Sequence, residues 1–384
     1  MLVYGLVMPP HYNVRVDHFS RVVPEYVVSN AEIFDRIRLS KLAAELGRES
    51  YLALSQDARQ TMALEKYPLA MDNFEANTMI RQRHQFGRDV SICDKAAEVL
   101  RKGLQEASWD PKDLDFIIVS TVSNTYQNGS LKTPTIAGVI QEAVGAWNAW
   151  AYDMTAACSG WIYPVQQATA FIHSGMAKRG AVVNIEMVEY ALDYTNEKSS
   201  PLLGDVATVT LMSWSEEPGI YGLVCQGNRQ GVPAHLTTWG TAPKAYPETE
   251  PFLPFSGPTI RSHIPKAPEP FALKGKAVYA EGIREMGQHT ESNIRLTKDV
   301  FGSDPDWFVY HQANGSMLNK ILTGLNIDAK KHLYNIDRFA NTAGATIPSV
   351  LSEHWDNMKV GHTTSVAVFG GGITSGRVVL CKRG

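Results

Sequence analysis

Phe116-Ile117-Ile118-Val119 is an unbroken run of large apolar residues, the pattern of a strand covered on both faces. Ala181-Val182-Val183-Asn184-Ile185 repeats it. Trp150 to Met154, Trp307 to Tyr310, Thr364 to Phe369 and Val378 to Leu380 are further short strand candidates. Helical periodicity lies between them. Ser91 to Ala107 places Ala96, Ala97, Val99, Leu100 and Leu104 on one face. Thr133 to Val144 reads as a helix with Pro134 in its first turn. Cys158 to Gly175, Gly275 to Val300 and Ser316 to Leu325 complete the helical set.

Upstream, Ser29 is followed three residues later by Glu32, which predicts a capped helix start. That helix breaks near Gly47, and residues 50–70 read as a second, mostly polar helix ending near Pro68. Residues 226–272 are rich in Pro, Gly and Thr and read as loops. Short buried strands alternating with helices predict an α/β protein with a parallel or mixed sheet.

The chain has 384 residues, 44% of them hydrophobic and 20% charged, a length that suggests two domains or one large double unit. The net charge of −3 and the lack of a Lys/Arg stripe argue against a nucleic-acid partner. The N-terminus lacks the basic start and long apolar core of a signal peptide, and no apolar run approaches the ~20 residues that span a bilayer. The four cysteines, Cys93, Cys158, Cys225 and Cys381, form no CxxC pair. A reducing cytoplasm is the simplest expectation, with at most one or two thiols chemically special.

Three segments carry candidate chemistry. Thr155-Ala156-Ala157-Cys158-Ser159-Gly160 sets a thiol among small residues at a strand-to-helix junction. A helix start there would offer free N–H groups and partial positive charge, both of which favour the nucleophilic thiolate. Val309-Tyr310-His311-Gln312-Ala313-Asn314 ends a strand on a histidine. Arg338-Phe339-Ala340-Asn341-Thr342-Ala343-Gly344-Ala345 sets an asparagine among small residues. Each alone is more often a packed cysteine, a satisfied histidine or a capping asparagine. A papain-like peptidase also uses Cys, His and Asn, but its cysteine signature lies near the mature N-terminus, whereas Cys158 is mid-chain between Ala157 and Ser159.

Taken together, the segments resemble β-ketoacyl-acyl-carrier-protein synthase III. His311-Gln312-Ala313-Asn314, Asn341 thirty residues on, and Phe369-Gly370-Gly371-Gly372 resemble that family's C-terminal half. The Cys158 segment, preceded by Asp153-Met154, resembles its nucleophile site. Ile80-Arg81-Gln82-Arg83-His84 and Gly204-Asp205-Val206-Ala207 are similar to two further motifs, and Val22 to Ile33 to its first strand-turn-helix.

The resemblance implies a thiolase fold: two βαβαβαββ halves, residues 1–215 with the nucleophile and 216–384 with the His and Asn, in five α-β-α-β-α layers. It implies an acyltransferase working in fatty-acid-like, polyketide or specialised lipid synthesis. Cys158 would be acylated. His311 and Asn341 would serve the decarboxylation of a malonyl or β-ketoacyl thioester, and the N–H groups of Cys158 and Gly372 would form the oxyanion hole. Thr133 and Phe369 would border the acyl pocket. The implied partners are acyl-carrier-protein or coenzyme A thioesters and a second copy of the chain, with no metal, cofactor or membrane involved.

Four features depart from the family. Residues 34–72 exceed its usual spacing, Asn73 and Asn77 stand where a Trp and an Arg grip coenzyme A, Gly315 replaces an Arg or Lys, and Thr133 replaces a Phe. Two alternatives accompany the main reading: acyl transfer without decarboxylation, and a non-catalytic partner subunit. Such subunits typically lose the Cys or His, and both are present here.

Overall fold

The computed structural model describes residues 11–69, 71–87, 90–123, 134–188, 192–227, 237–238, 272–273 and 275–384. Its strands in chain order are β1 (His11–Tyr12), β2 (Val14–Val22), β3 (Tyr26–Ser29), β4 (Gln82–Gln85), β5 (Phe116–Ser120), β6 (Trp150–Met154), β7 (Arg179–Glu186), β8 (Val206–Trp214), β9 (Ile220–Gln226), β10 (Thr237–Thr238), β11 (Ala272–Leu273), β12 (Trp307–Tyr310), β13 (Thr363–Gly370) and β14 (Thr374–Cys381).

The apolar run of β5 is buried on both sides, and successive side chains enter different cores. Phe116 and Ile118 join a cluster with Trp161, Val182, Val366 and Val378, while Ile117 and Val119 join one with Leu100, Ile140 and Val183. This is the two-residue period of a strand between two layers. β13 divides likewise: Val366 and Val368 face the first cluster, and Ala367 and Phe369 face a third with Met286 and Met317.

Two five-stranded sheets result. One runs β2-β8-β7-β5-β6, with β7, β5 and β6 parallel to one another. The other runs β1-β9-β14-β13-β12, with β12 and β13 parallel. Helices Ile162–His173 and Thr346–His354 fill the space between them, where Trp161 donates its indole N–H to Thr210 at 3.0 Å. Helices Ile92–Glu106 and Ile136–Val144 cover the far side of the first sheet, and Gly275–Phe301 and Gly315–Gly324 that of the second. The layers run α-β-α-β-α, the thiolase fold. The first sheet takes its strands from residues 14–214, the second from 220–381 together with β1.

Several expectations need adjustment. Residues 50–70 form two helices, Arg48–Ala53 and Gln56–Lys66, because Ser55 caps a new start through the Ala58 N–H. Pro134 lies before the helix Ile136–Val144, whose cap is Thr135. The helix predicted from Cys158 begins at Ile162; Ala157–Ser159 is a separate 3-10 turn. The Ser29 capping box forms as expected. Among the described residues no helix is long and apolar enough to cross a membrane, and no cluster of His, Cys, Asp or Glu is arranged to hold a metal.

Gly204 shows how tightly the segment before β8 packs on the segment at Phe339. A Cβ there would penetrate the shell of the Phe339 carbonyl oxygen, which is backbone and cannot rotate away. Gly287, on the helix Gly275–Phe301, has open space at the same position. Gly204→Ala should therefore destabilise by about 1–3 kcal/mol through overpacking. Gly287→Ala should stabilise by about 0.5–1 kcal/mol through helix propensity. Denaturant unfolding of the two variants measures both signs.

Candidate active site

Open α/β sheets bind ligands beyond the carboxyl ends of their strands, and here those ends converge. Cys158 follows β6, Glu186 ends β7, Thr121 to Ser123 follow β5, His311 follows β12 and Gly371 follows β13. Asn341 arrives on the turn before helix Thr346–His354.

The turn carrying Cys158 is held open by strain. Ala157 adopts φ +48°, a left-handed conformation that a Cβ disfavours. Ala340 and Ala343, flanking Asn341, have φ +57° and +45°, and Ile373, beyond the glycines, has +59°. Four of the seven described non-glycine residues with positive φ thus lie in these three turns. Such strain persists only where the surroundings over-determine it, and it gathers at working sites.

Cys158 keeps partial access to solvent. Its thiol is nevertheless pushed up to about 12, first by burial and then by the Glu186 carboxyl. The backbone N–H groups of Gly371 and of Cys158 itself pull in the opposite direction without prevailing. The expected thiolate stabilisation by a helix start is therefore corrected. The 3-10 turn and Gly160 set the sulfur ahead of the helix at Ile162, and a helix dipole acts only within its first turn.

His311 is buried, and desolvation lowers its ring to about 4 against a backbone hydrogen bond with Ala343. The imidazole is neutral at pH 7, and its Nδ1 has no hydrogen-bond partner among the described residues. Asn341 is fixed at both backbone ends: its N–H donates to Leu202 at 2.9 Å and its carbonyl accepts from Gly204 at 3.0 Å. Its side-chain Oδ1 accepts the Ala343 N–H at 2.9 Å, which turns the Nδ2 amide hydrogens away as the remaining donor. Ala343 thus orients both side chains through its backbone.

The other motif residues are supports. Gln312 Oε1 accepts the N–H groups of Asn335 and Ile336 at 3.0 and 2.7 Å, tying the His311 strand to the Asn341 segment. Asn314 caps the helix Gly315–Gly324 through the Ser316 N–H. Arg83 is fully buried and donates to the carbonyl of Pro201 at 2.6 Å. Asp205 joins the same segment, receiving the Phe86 N–H at 3.1 Å while its own N–H donates to His84.

The departure at Gly315 has a local fit. Met79, held at φ +65°, packs its side chain onto the Cα of Gly315, where any Cβ would collide with it. Asn77 is exposed and donates to the Asn73 carbonyl in its own helix. Residues 48–66 form a helical pair packed on helix Asn30–Leu46 through Leu39, Leu42, Tyr51 and Ala63. Of the remaining expected site residues, Gly372 adopts φ +74° one position beyond Gly371, and Phe369 packs in the outer core with Met317 and Ile373. Thr133 lies outside the described residues. Sequence reading missed Glu186 and Ala343. Glu186 closes an apolar strand, a polar residue in a buried run, and that was the available signal.

Two family models match the chain. The one described as 3-oxoacyl-acyl-carrier-protein (ACP) synthase III covers residues 152–228, and its C-terminal counterpart covers 297–381. The β-ketoacyl-acyl-carrier-protein synthase III of Streptococcus suis is 31% identical over 310 residues, 79% of this chain and 88% of that protein. Among solved structures, 3-oxoacyl-acyl-carrier-protein synthase III from Aquifex aeolicus superposes with a TM-score of 0.72 at 23% identity, covering 96% of this chain and 99% of its own. The priming β-ketosynthase of a polyketide biosynthetic pathway gives 0.75 at 21% identity, with 99% of each chain covered. These two likenesses establish the fold.

With the Cys158 thiol near 12, its alkylation by iodoacetamide should be faster at pH 10 than at pH 7 and still short of its final saturation at pH 10. Mass spectrometry of the Cys158 peptide across that range is the measurement. Saturation below pH 8 would contradict the burial effect.

Proposed function

The chain belongs to the 3-oxoacyl-acyl-carrier-protein synthase III family, and from that premise we propose that it joins a Cys158-bound acyl group to a malonyl or β-ketoacyl thioester by decarboxylative Claisen condensation. It is an acyltransferase of the ketosynthase type. The observation carrying the reading is the convergence of Cys158, a neutral buried His311 and an Asn341 whose Oδ1 is already engaged.

Cys158 attacks the donor thioester; a new C–S bond forms, and the carrier thiol leaves with a proton, so the exchange is proton-neutral. The malonyl group then loses its carboxylate as CO2, and the electron pair of the broken C–C bond becomes an enolate. His311 and Asn341 Nδ2 donate to that enolate oxygen. The nascent carbanion attacks the Cys158 thioester, and the tetrahedral oxyanion is held by the Cys158 N–H and the Gly371–Gly372 turn. Collapse releases the ketoacyl product and returns the thiolate. Acyl-carrier-protein or coenzyme A thioesters are the proposed substrates. The loss of Arg and Trp at Asn77 and Asn73 favours a carrier protein or a different grip on coenzyme A. Residues 1–215 and 216–384 are the proposed halves, and two copies form the proposed assembly.

Cys158→Ala should abolish covalent loading in intact-protein mass spectra, while substitutions at Cys93, Cys225 and Cys381 leave it intact. His311→Ala and Asn341→Ala should still load, with malonyl decarboxylation reduced by about 10²-fold, the cost of one preorganised donor. Loading without any decarboxylation in the wild type would instead favour plain acyl transfer.

Thr133 is the proposed wall of the acyl pocket, where a smaller side chain leaves room for longer acyl groups. Tight apolar pockets discriminate by roughly 1–3 kcal/mol per methylene. Wild type should load an eight-carbon acyl thioester faster than acetyl, and Thr133→Phe should reverse that ratio. An unchanged ratio would place chain-length control elsewhere.

A further inference from the structure

One buried acid has no part in the chemistry above. Glu186, the last residue of β7, is 1% exposed and stands where the three site turns meet. Its Oε1 accepts the Gly344 N–H at 3.3 Å. Its Oε2 accepts the Val122 N–H at 3.1 Å, with the Ser123 and Thr121 hydroxyls at 3.3 and 3.4 Å. Gly344 in turn lies against the nucleophile turn. A Cβ built on it would sit 3.1 Å from the Glu186 carboxyl, 3.2 Å from the Ala157 carbonyl and 3.2 Å from the Gly160 Cα.

We propose that Glu186 is a positioning residue of the acyl-transfer site: its carboxyl joins the Cys158, Asn341 and post-β5 turns in one frame, and its charge governs how readily Cys158 gives up its proton. The proposal rests on the reading of Cys158 as nucleophile.

The surroundings of Glu186 are specific. On the neighbouring turn, the Cys158 thiol is raised by the Glu186 charge. The hydroxyls of Thr121 and Ser123 face it from the turn after β5, and Gly344 offers backbone alone. On β8 its partner is the apolar Val206, and the neighbouring Asp205 is engaged with the Phe86 N–H. Burial lifts the Glu186 carboxyl to about 8 in spite of four donors. Two acids in one enclosed site resist ionising together, so the resting site carries at most one negative charge near neutrality. A protonated Glu186 also leaves the site free of negative charge when the enolate forms.

The test is the pH dependence of Cys158 alkylation by iodoacetamide in the full-length protein, read on the Cys158 peptide. In wild type the logarithm of the rate should bend near pH 8, as Glu186 ionises and holds the thiol proton more firmly. In Glu186→Gln the bend should vanish and the rate at pH 9 rise several-fold. Glu186→Asp keeps the charge and should keep the bend. Gln also replaces one of the two oxygens that accept backbone N–H groups with an NH2 that cannot accept, so condensation in Glu186→Gln should fall about tenfold although loading does not. Superimposable Glu186→Gln and wild-type profiles would overturn the proposal. Ser123→Ala, which removes one donor from the ionised carboxylate, should move the bend to higher pH and serves should Glu186→Gln not fold. A shifted profile with unimpaired condensation would overturn the positioning role, whereas a failure of the nucleophile assignment would show separately as loading that survives in Cys158→Ala.

Discussion

Everything in this site depends on backbone approaching backbone. The Cys158 turn and the Asn341 turn touch through Gly160 and Gly344, with the Ala157 carbonyl between them. A Cβ at Gly344 would crowd the Glu186 carboxyl, the Ala157 carbonyl and the Gly160 Cα at 3.1–3.2 Å, and one at Gly160 would sit 2.8 Å from the Ala157 carbonyl and the Ser120 hydroxyl. The cost of the contact is visible in Ala157, Ala340 and Ala343, each held left-handed without being glycine. Two sheets packed on a shared helical layer make that strain sustainable, because neither turn can relax without disturbing Trp161, Ile347 and Val350 in the central core.

That arrangement explains the electrostatics as well. A thiol kept protonated, an imidazole kept neutral and a carboxyl lifted toward neutrality are three consequences of burial at one place. Burial penalises every charge, so the resting site is nearly uncharged. In the proposed reaction charge appears when substrate reacts, and the proposed donors are already in place, which is where preorganised dipoles contribute most.

Much of this was legible in the chain. Phe116 to Val119 and Ala181 to Ile185 announced strands because both faces are covered, and Ser29 and Ser91 announced helix starts because they cap them. Strand β2 was not legible. Its register shifts between Val16 and His18, so Val14, Val16 and Phe19 do not keep a two-residue period. Strand β8 was hidden by buried threonines: Thr208 bonds to the Asn184 carbonyl and Thr210 receives the Trp161 indole, so polar letters occupy core positions. Cys158, His311 and Asn341 were found through resemblance of the whole motif set. Glu186 and Ala343 escaped because their roles come from neighbours distant in sequence, Gly344 and His311 among them.

The helical pair Arg48–Ala53 and Gln56–Lys66 has a further meaning. It carries its own small core against helix Asn30–Leu46, separate from the clusters that hold the sheets. Lengthening a surface connection costs little entropy, about 0.6 kcal/mol for each doubling. Such a module can change its outer surface with little effect on the two sheets beneath, because its packing is its own.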